Sequence, residues 1–207
     1  MLKPLIIIIM AAGAAFPQYK VEPAGPPPSD LAGPISATLQ KEGAKIVAGN
    51  GTAFGEVWFR SKLPSGPKTT EEGVTLPTIP QGALLGVLRF PGRGSDRRGQ
   101  TLKPGVYTLR YSLQPVNGDH QGVAPQRDFL VIIPAADDTN PDATPAFDDL
   151  MKMSRKASGT PHPAILSMSA SSNTTFPEIK KEGDADWVLH AKIGDTPVAV
   201  IVVGKAE

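Results

Sequence analysis

The stretch Gly105–Leu113 limits what this chain can become more than any other. Tyr107, Leu109, Tyr111 and Leu113 alternate there with Val106, Thr108, Arg110 and Ser112. A period of two puts the large apolar set on one face of a strand and the smaller or polar set on the other. Wound as a helix, the same residues would scatter around the axis, so the pattern calls for a sheet with one hydrophobic side. On either side lie Ala83–Phe90 and Phe129–Ile133, two nearly continuous apolar runs. Runs of that kind mark strands covered on both faces. The three together predict the centre of an antiparallel sheet.

The rest of the chain is punctuated for short strands. Its 207 residues include 21 glycines and 22 prolines, spread through the sequence in a way that suits turns and loops and not long helices. Asn50-Gly51 is a tight-turn signal between Lys45–Ala48 and Ala53–Arg60, because both residues tolerate positive φ. Trp58 and Phe59 are neighbours on a strand and point to opposite faces, so one is expected in the core and the other in a second core contact or a surface patch. Further strands are predicted at Val74–Leu76, Ala164–Ala170 and, as a short edge, Phe176–Lys180. A closing hairpin runs from Asp186–Ile193 to Pro197–Val203, with His190 expected on its solvent face. One helix is predicted: Thr144 caps it, Pro145 comes next, and Phe147, Leu150 and Met151 form its stripe. Asp148 and Asp149 near its start, and Lys152, Arg155 and Lys156 near its end, suit the helix dipole, and Gly159 stops it. The expected fold is mainly β, an antiparallel β-sandwich of about nine strands with one short helix.

Three regions are expected along the chain. Residues 1–18 read as a signal peptide: Lys3 precedes an apolar run from Leu5 to Ala15, which ends among the small residues Ala12-Gly13-Ala14. That run is too short to span a bilayer of ~30 Å, and no other segment approaches such a length. Residues 19–40 hold Pro23, Pro26, Pro27 and Pro28 and read as a proline-rich leader. Residues 41–207 are then a single domain. Removing Lys3 leaves 20 basic against 20 acidic residues, a balance that argues against nucleic acid as partner, since such binding rests on neutralising phosphates. With no cysteine, the chain has no disulfide, thiolate metal site or cysteine nucleophile. A periplasmic or extracellular bacterial protein fits these features.

The turn into the central strand reads Lys103-Pro104-Gly105-Val106-Tyr107-Thr108-Leu109. These seven residues resemble a phrase of immunoglobulin-like and carboxypeptidase-regulatory-like β-sandwiches, including secreted bacterial ones of unknown function. The resemblance implies a sandwich in which Pro-Gly makes the turn and the tyrosine packs between sheets. It carries no catalytic residue across.

Two constellations could carry chemistry. The loop Pro91–Lys103 concentrates Arg93, Arg97, Arg98 and Lys103 among Gly92, Gly94 and Gly99. Glycines let a backbone fold into a concavity of N–H groups around an anion, so these four cations are the candidate ligand-binding residues. Alternatively the loop is a solvated hairpin whose arginines pair with Asp96. His120, Asp128 and His162 could form a two-histidine, one-carboxylate site for a divalent transition metal. No short His spacing demands one, so no cofactor is the leading expectation. No Gly-x-Ser-x-Gly elbow is present, and Ser167–Ser172 have no identifiable base beside them. The sequence therefore favours an exported, non-enzymatic binding or structural module for a glycan, an anion, an envelope component or a protein. The alternative is a metal-assisted enzyme using His120, Asp128 and His162.

Overall fold

The computed structural model describes residues 18–116 and 126–206. In chain order its strands are β1 (Tyr19–Gly25), β2 (Gly43–Ala48), β3 (Ala53–Phe59), β4 (Leu84–Phe90), β5 (Gly94–Ser95), β6 (Thr101–Leu102) and β7 (Gly105–Leu113). They continue with β8 (Asp128–Pro134), β9 (Ile165–Ala170), β10 (Glu178–Glu182), β11 (Asp186–Ile193) and β12 (Thr196–Val203). Two α-helices are present among the described residues, α1 (Gly33–Ser36) and α2 (Phe147–Ser158).

The fold is mainly β and antiparallel, as the alternation implies, but its strands are not divided between two facing sheets. Ten of them form one sheet in the order β1-β2-β3-β4-β7-β8-β9-β12-β11-β10, and β5 pairs only with β6. The run β9-β12-β11-β10 is a Greek-key return, in which the chain leaves β9, crosses to the far edge and comes back by hairpins. The two ends of the sheet approach each other. Tyr19 of β1 meets Trp187 of β11 edge to face, with ring centroids 5.3 Å apart. The sheet is thereby curled into a nearly closed barrel. Register shifts at Pro23/Gly25, Ile46/Val47, Leu84/Gly86 and Trp187/Val188 supply local bends of the kind such curling requires.

The interior takes one face of every long strand, including Phe59, Leu85, Leu109, Tyr111, Leu130 and Val200. The outer wall is covered in patches. Leu31, Ile35 and Leu39 pack against Trp58, Leu84 and Val87, so Trp58 and Phe59 do serve opposite faces. Leu150 and Met151 of α2 pack on Phe129, Val131, Ile133 and Ile165. On β7 the outward set is Thr108, Arg110 and Ser112, and all three are buried. Arg110 is fully buried because residues 135–146 fold over it. Asp138 accepts from its Nε at 2.6 Å and its Nη2 at 2.7 Å. The carbonyls of Gly82, Ala143 and Asn140 take its three remaining N–H groups, and Thr108 donates to Asp138 at 2.6 Å. No donor of the guanidinium is left over, which is the condition for burying it.

Several local expectations are corrected. Residues 19–40 do not merely link: Tyr19–Gly25 is β1, and Trp58 Nε1 donates to the Gly25 carbonyl at 2.8 Å. Prolines tolerated at an edge strand and at the start of α1 disguise this segment. Val74–Leu76 is not a strand, because the amides of Thr75 and Leu76 are taken by Asp128. The cap of α2 is Ala146 and not Thr144, while Gly159 ends the helix at φ 65° as expected. His190 does not face solvent; it is 6% exposed. The signal-peptide residues other than Gln18 lie outside the described residues, and no described helix is long and apolar enough to cross a membrane.

Candidate functional site

The arginine loop is a cradle for an anion, but the anion it holds is its own. Asp96 lies at its centre, 1% exposed. Its Oδ1 accepts from the amides of Arg98 at 3.0 Å and Gln100 at 2.7 Å. Oδ2 takes the Gln100 side chain at 2.8 Å and the Ile165 amide at 3.2 Å. Burial pushes the Asp96 carboxyl up from its usual value, and the Gln100, Ile165 and Arg98 bonds oppose that rise. Arg97 is buried too: its guanidinium pairs with Asp186, its amide donates to the Ile165 carbonyl at 2.8 Å and its carbonyl accepts from Ala206 at 2.9 Å. The four cations thus differ in burial, with Arg97 buried, Arg98 half-buried, and Arg93 and Lys103 exposed.

Of the second trio, the two members among the described residues, Asp128 and His162, lie apart. His120 lies outside the described residues. Asp128 is fully buried and accepts from the Thr75 amide and hydroxyl, the Leu76 amide and the Tyr111 hydroxyl, at 2.7 to 3.1 Å. His162 is exposed. Ile132 donates to the Ala164 carbonyl, so the His162 segment joins β8 four residues along from Asp128. At ~3.3 Å per strand residue that contact lies about 13 Å along β8 from Asp128, and His162 is two residues further along its own segment. Among the described residues no group of three or more His, Asp or Glu converges as a metal site.

Two other places hold more promise. The first is a cavity of ≈ 290 Å³ at one mouth of the barrel. Ala44, Val57 and Phe59 of β2 and β3 form one wall, and Ala191 with the Phe176-Pro177 turn forms the other. Gln40, Glu42 and Lys192 stand at its rim. The rim is braced across the gap: Gln40 Nε2 donates to the Lys192 carbonyl at 2.7 Å, and the Lys192 ammonium lies 5.2 Å from the Phe176 ring centre. Sequence reasoning misses this cavity, since its lining comes from four segments far apart in the chain.

The second is a polar line on the outer wall of β9–β12. Ser171 Oγ lies 2.8 Å from His190 Nδ1, and His190 Nε2 lies 3.0 Å from Glu182 Oε1. The serine run does therefore have a base beside it, contrary to the expectation from sequence. Ser171 follows β9 directly and β11 is two strands away, so only the Greek-key return brings serine and imidazole together. Asn173 ties the loop down: its Nδ2 donates to Glu178 at 2.7 Å and its Oδ1 accepts from Lys180 at 2.8 Å. Hydrogen bonds from Asn173, foremost, and from Lys180 hold the Glu178 carboxyl below its usual range.

No protein family, curated protein or solved structure matches the chain. The residues themselves carry the functional argument.

Proposed function

We propose that the protein is an exported binding module whose ligand enters the mouth of the barrel. The observation that carries this reading is the cavity of ≈ 290 Å³, apolar on both walls and open between β2–β3 and β11. Barrel mouths are common ligand sites, and an apolar pocket with a few polar groups at its edge is the usual composition. The ligand group that fits is an apolar side chain of a peptide or protein partner. Its backbone on either side offers donors and acceptors, and the rim presents an acid, a base and an amide in Glu42, Lys192 and Gln40. The arginine loop is a weaker candidate because its concavity is filled by Asp96. The apolar run and small residues within residues 1–18 support export.

The test is titration with N-acetyl-phenylalaninamide, followed by amide chemical shifts. A ligand of that size at about −0.3 kcal/mol per heavy atom binds with a Kd of order 1 mM. Saturable shifts confined to residues near Ala44, Val57, Phe176 and Ala191 are expected, and Ala191→Phe should abolish them by filling the cavity. Shifts that are absent at roughly ten times that Kd, or that persist unchanged in Ala191→Phe, overturn the reading.

A further inference from the structure

The outer wall carries a hydroxyl, an imidazole and a carboxylate in series, on the opposite side of β11 from the cavity. The chemistry of each group fixes the protons along this line. A carboxylate only accepts, so His190 Nε2, 3.0 Å from Glu182, carries the ring proton. In the neutral ring Nδ1 is then bare, and the Ser171 hydroxyl at 2.8 Å donates to it. The ring sits opposite Ala199 of β12 and Glu178 of β10 in the ladder and is 6% exposed. Bulk water therefore competes little for its nitrogens. Ser171 itself is half-buried at the surface, where a reactant can reach it.

We infer that Ser171 is a nucleophile, with His190 as its general base and Glu182 as the group that positions the imidazole, and that the site accepts acyl groups from small activated esters. A serine within hydrogen-bond reach of a base that is itself oriented by a third group is the signature of an activated hydroxyl. The setting selects the substrate class. Ser171 lines neither the barrel-mouth cavity nor the one of ≈ 340 Å³ between Lys103 and Gly159. Half-buried at the surface and outside both of those cavities, Ser171 has room for a compact acyl group, and a good leaving group supplies the driving force. Ser171 Oγ forms a bond to the ester carbonyl carbon while its proton passes to His190 Nδ1. The carbonyl electron pair moves to oxygen. Collapse expels the alcohol oxygen, which takes the proton back from Nδ1, and leaves an acyl-serine. Water then repeats the sequence, losing its proton to Nδ1 and releasing the carboxylic acid as the proton returns to Ser171. The balance is ester plus water to acid plus alcohol. The Asn173 amide donates to Ser171 Oγ at 3.1 Å and so fixes where the hydroxyl sits beside the imidazole. This inference is independent of the barrel-mouth reading, because His190 and Ala191 face opposite sides of the sheet.

The full chain is treated with a fluorophosphonate probe and the modified residue is mapped by mass spectrometry, with p-nitrophenyl acetate hydrolysis measured in parallel. Ser171 is expected to be modified, with fluoride leaving, and Ser171→Ala should lose both labelling and turnover. His190→Gln should slow labelling by about 100-fold or more, the usual contribution of a positioned base. Glu182 is exposed, so Glu182→Gln keeps the fold while removing the charge, and it should slow labelling roughly tenfold. Should His190→Gln fail to fold, the Glu182→Gln comparison decides. Labelling of Ser171 no faster than in the urea-unfolded chain, or an unchanged rate in Glu182→Gln, overturns the proposal.

Discussion

Replacing Asp138 by alanine tests whether a buried ion pair closes the outer wall of the barrel. Arg110 is wholly inaccessible and Asp138 4% exposed, so the charge left behind cannot turn to water. Asp138→Ala strips Arg110 of both carboxylate bonds and leaves the Thr108 hydroxyl without its acceptor. Removing one partner of a buried pair costs about 3–5 kcal/mol, because the remaining charge stays desolvated. That is a large part of the ~5–15 kcal/mol by which most domains are stable. For a chain of this size each kcal/mol moves Tm by about 2–4 °C, so a fall of roughly 6–20 °C is expected in a thermal melt followed by circular dichroism. The control is the neighbouring residue. Asp137 pairs with Lys156 at the surface, at 3.2 Å with side chains 37% and 60% exposed. Asp137→Ala should cost less than about 1 kcal/mol, as exposed pairs do. If Asp138→Ala melts within about 3 °C of the parent, or no lower than Asp137→Ala, the pair is not the buried clamp described here.

A second clamp ties the loop before β4 to the start of β8. Tyr111→Phe removes the hydroxyl that donates to Asp128 at 2.7 Å, leaving Oδ1 only the Leu76 amide at 3.1 Å. A loss of about 1.5–3 kcal/mol is expected in urea unfolding, and a loss under about 0.5 kcal/mol would refute the assignment. Burial and the Asp128 carboxylate both push the Tyr111 phenol far above its usual range. Asp96 supplies a pH signature. Its carboxyl is raised by burial, so the folded state holds that proton more tightly than the unfolded chain. Its contribution is therefore most favourable below the ordinary aspartate value of about 3.9 and is lost as pH rises through the elevated folded value. Carbon-13 titration should place the Asp96 midpoint above that ordinary value, and a midpoint at or below it would contradict the burial argument.

Legibility in the sequence depends on the range of the signal. Periodicity is local, and it locates the strands around Tyr107–Leu113, Phe129–Ile133 and Asp186–Val203 because alternation and apolar runs need only neighbouring residues. Closure of the sheet is not legible, because it rests on Tyr19 meeting Trp187 across the whole chain. Leu31, Ile35 and Leu39 recur every four residues, a spacing that suits a segment packed on the sheet. The prolines around them point to an extended leader instead. The glycine and arginine pattern of residues 91–103 is informative about chemistry, in that the loop does enclose a carboxylate. Nothing local distinguishes an outside anion from Asp96, since the choice depends on whether β9 packs over the loop and offers the Ile165 amide.

The same dependence on range explains why strand parity alone misplaces His190. Parity puts it on the outer face, opposite Ala191, and that much is right. Outer means solvent only where nothing covers the wall, and here the Ser171–Thr175 loop comes back across it. Three consecutive residues of β11 consequently serve three settings: His190 the polar line outside, Ala191 the cavity wall inside, and Lys192 the rim. The loop links them, because it is fixed to His190 at Ser171 and ends in Phe176-Pro177, which closes the cavity. A change that frees Ser171 from His190 should therefore be felt at the barrel mouth only through this short tether. Ser171→Ala keeps the Asn173 ties to Glu178 and Lys180, so it should silence the outer site and leave the cavity wall in place. Amide shifts of Ala191 and Phe176 that match the parent's in Ser171→Ala would bear this out, and a collapse of the N-acetyl-phenylalaninamide response in that variant would show the two sites to be coupled.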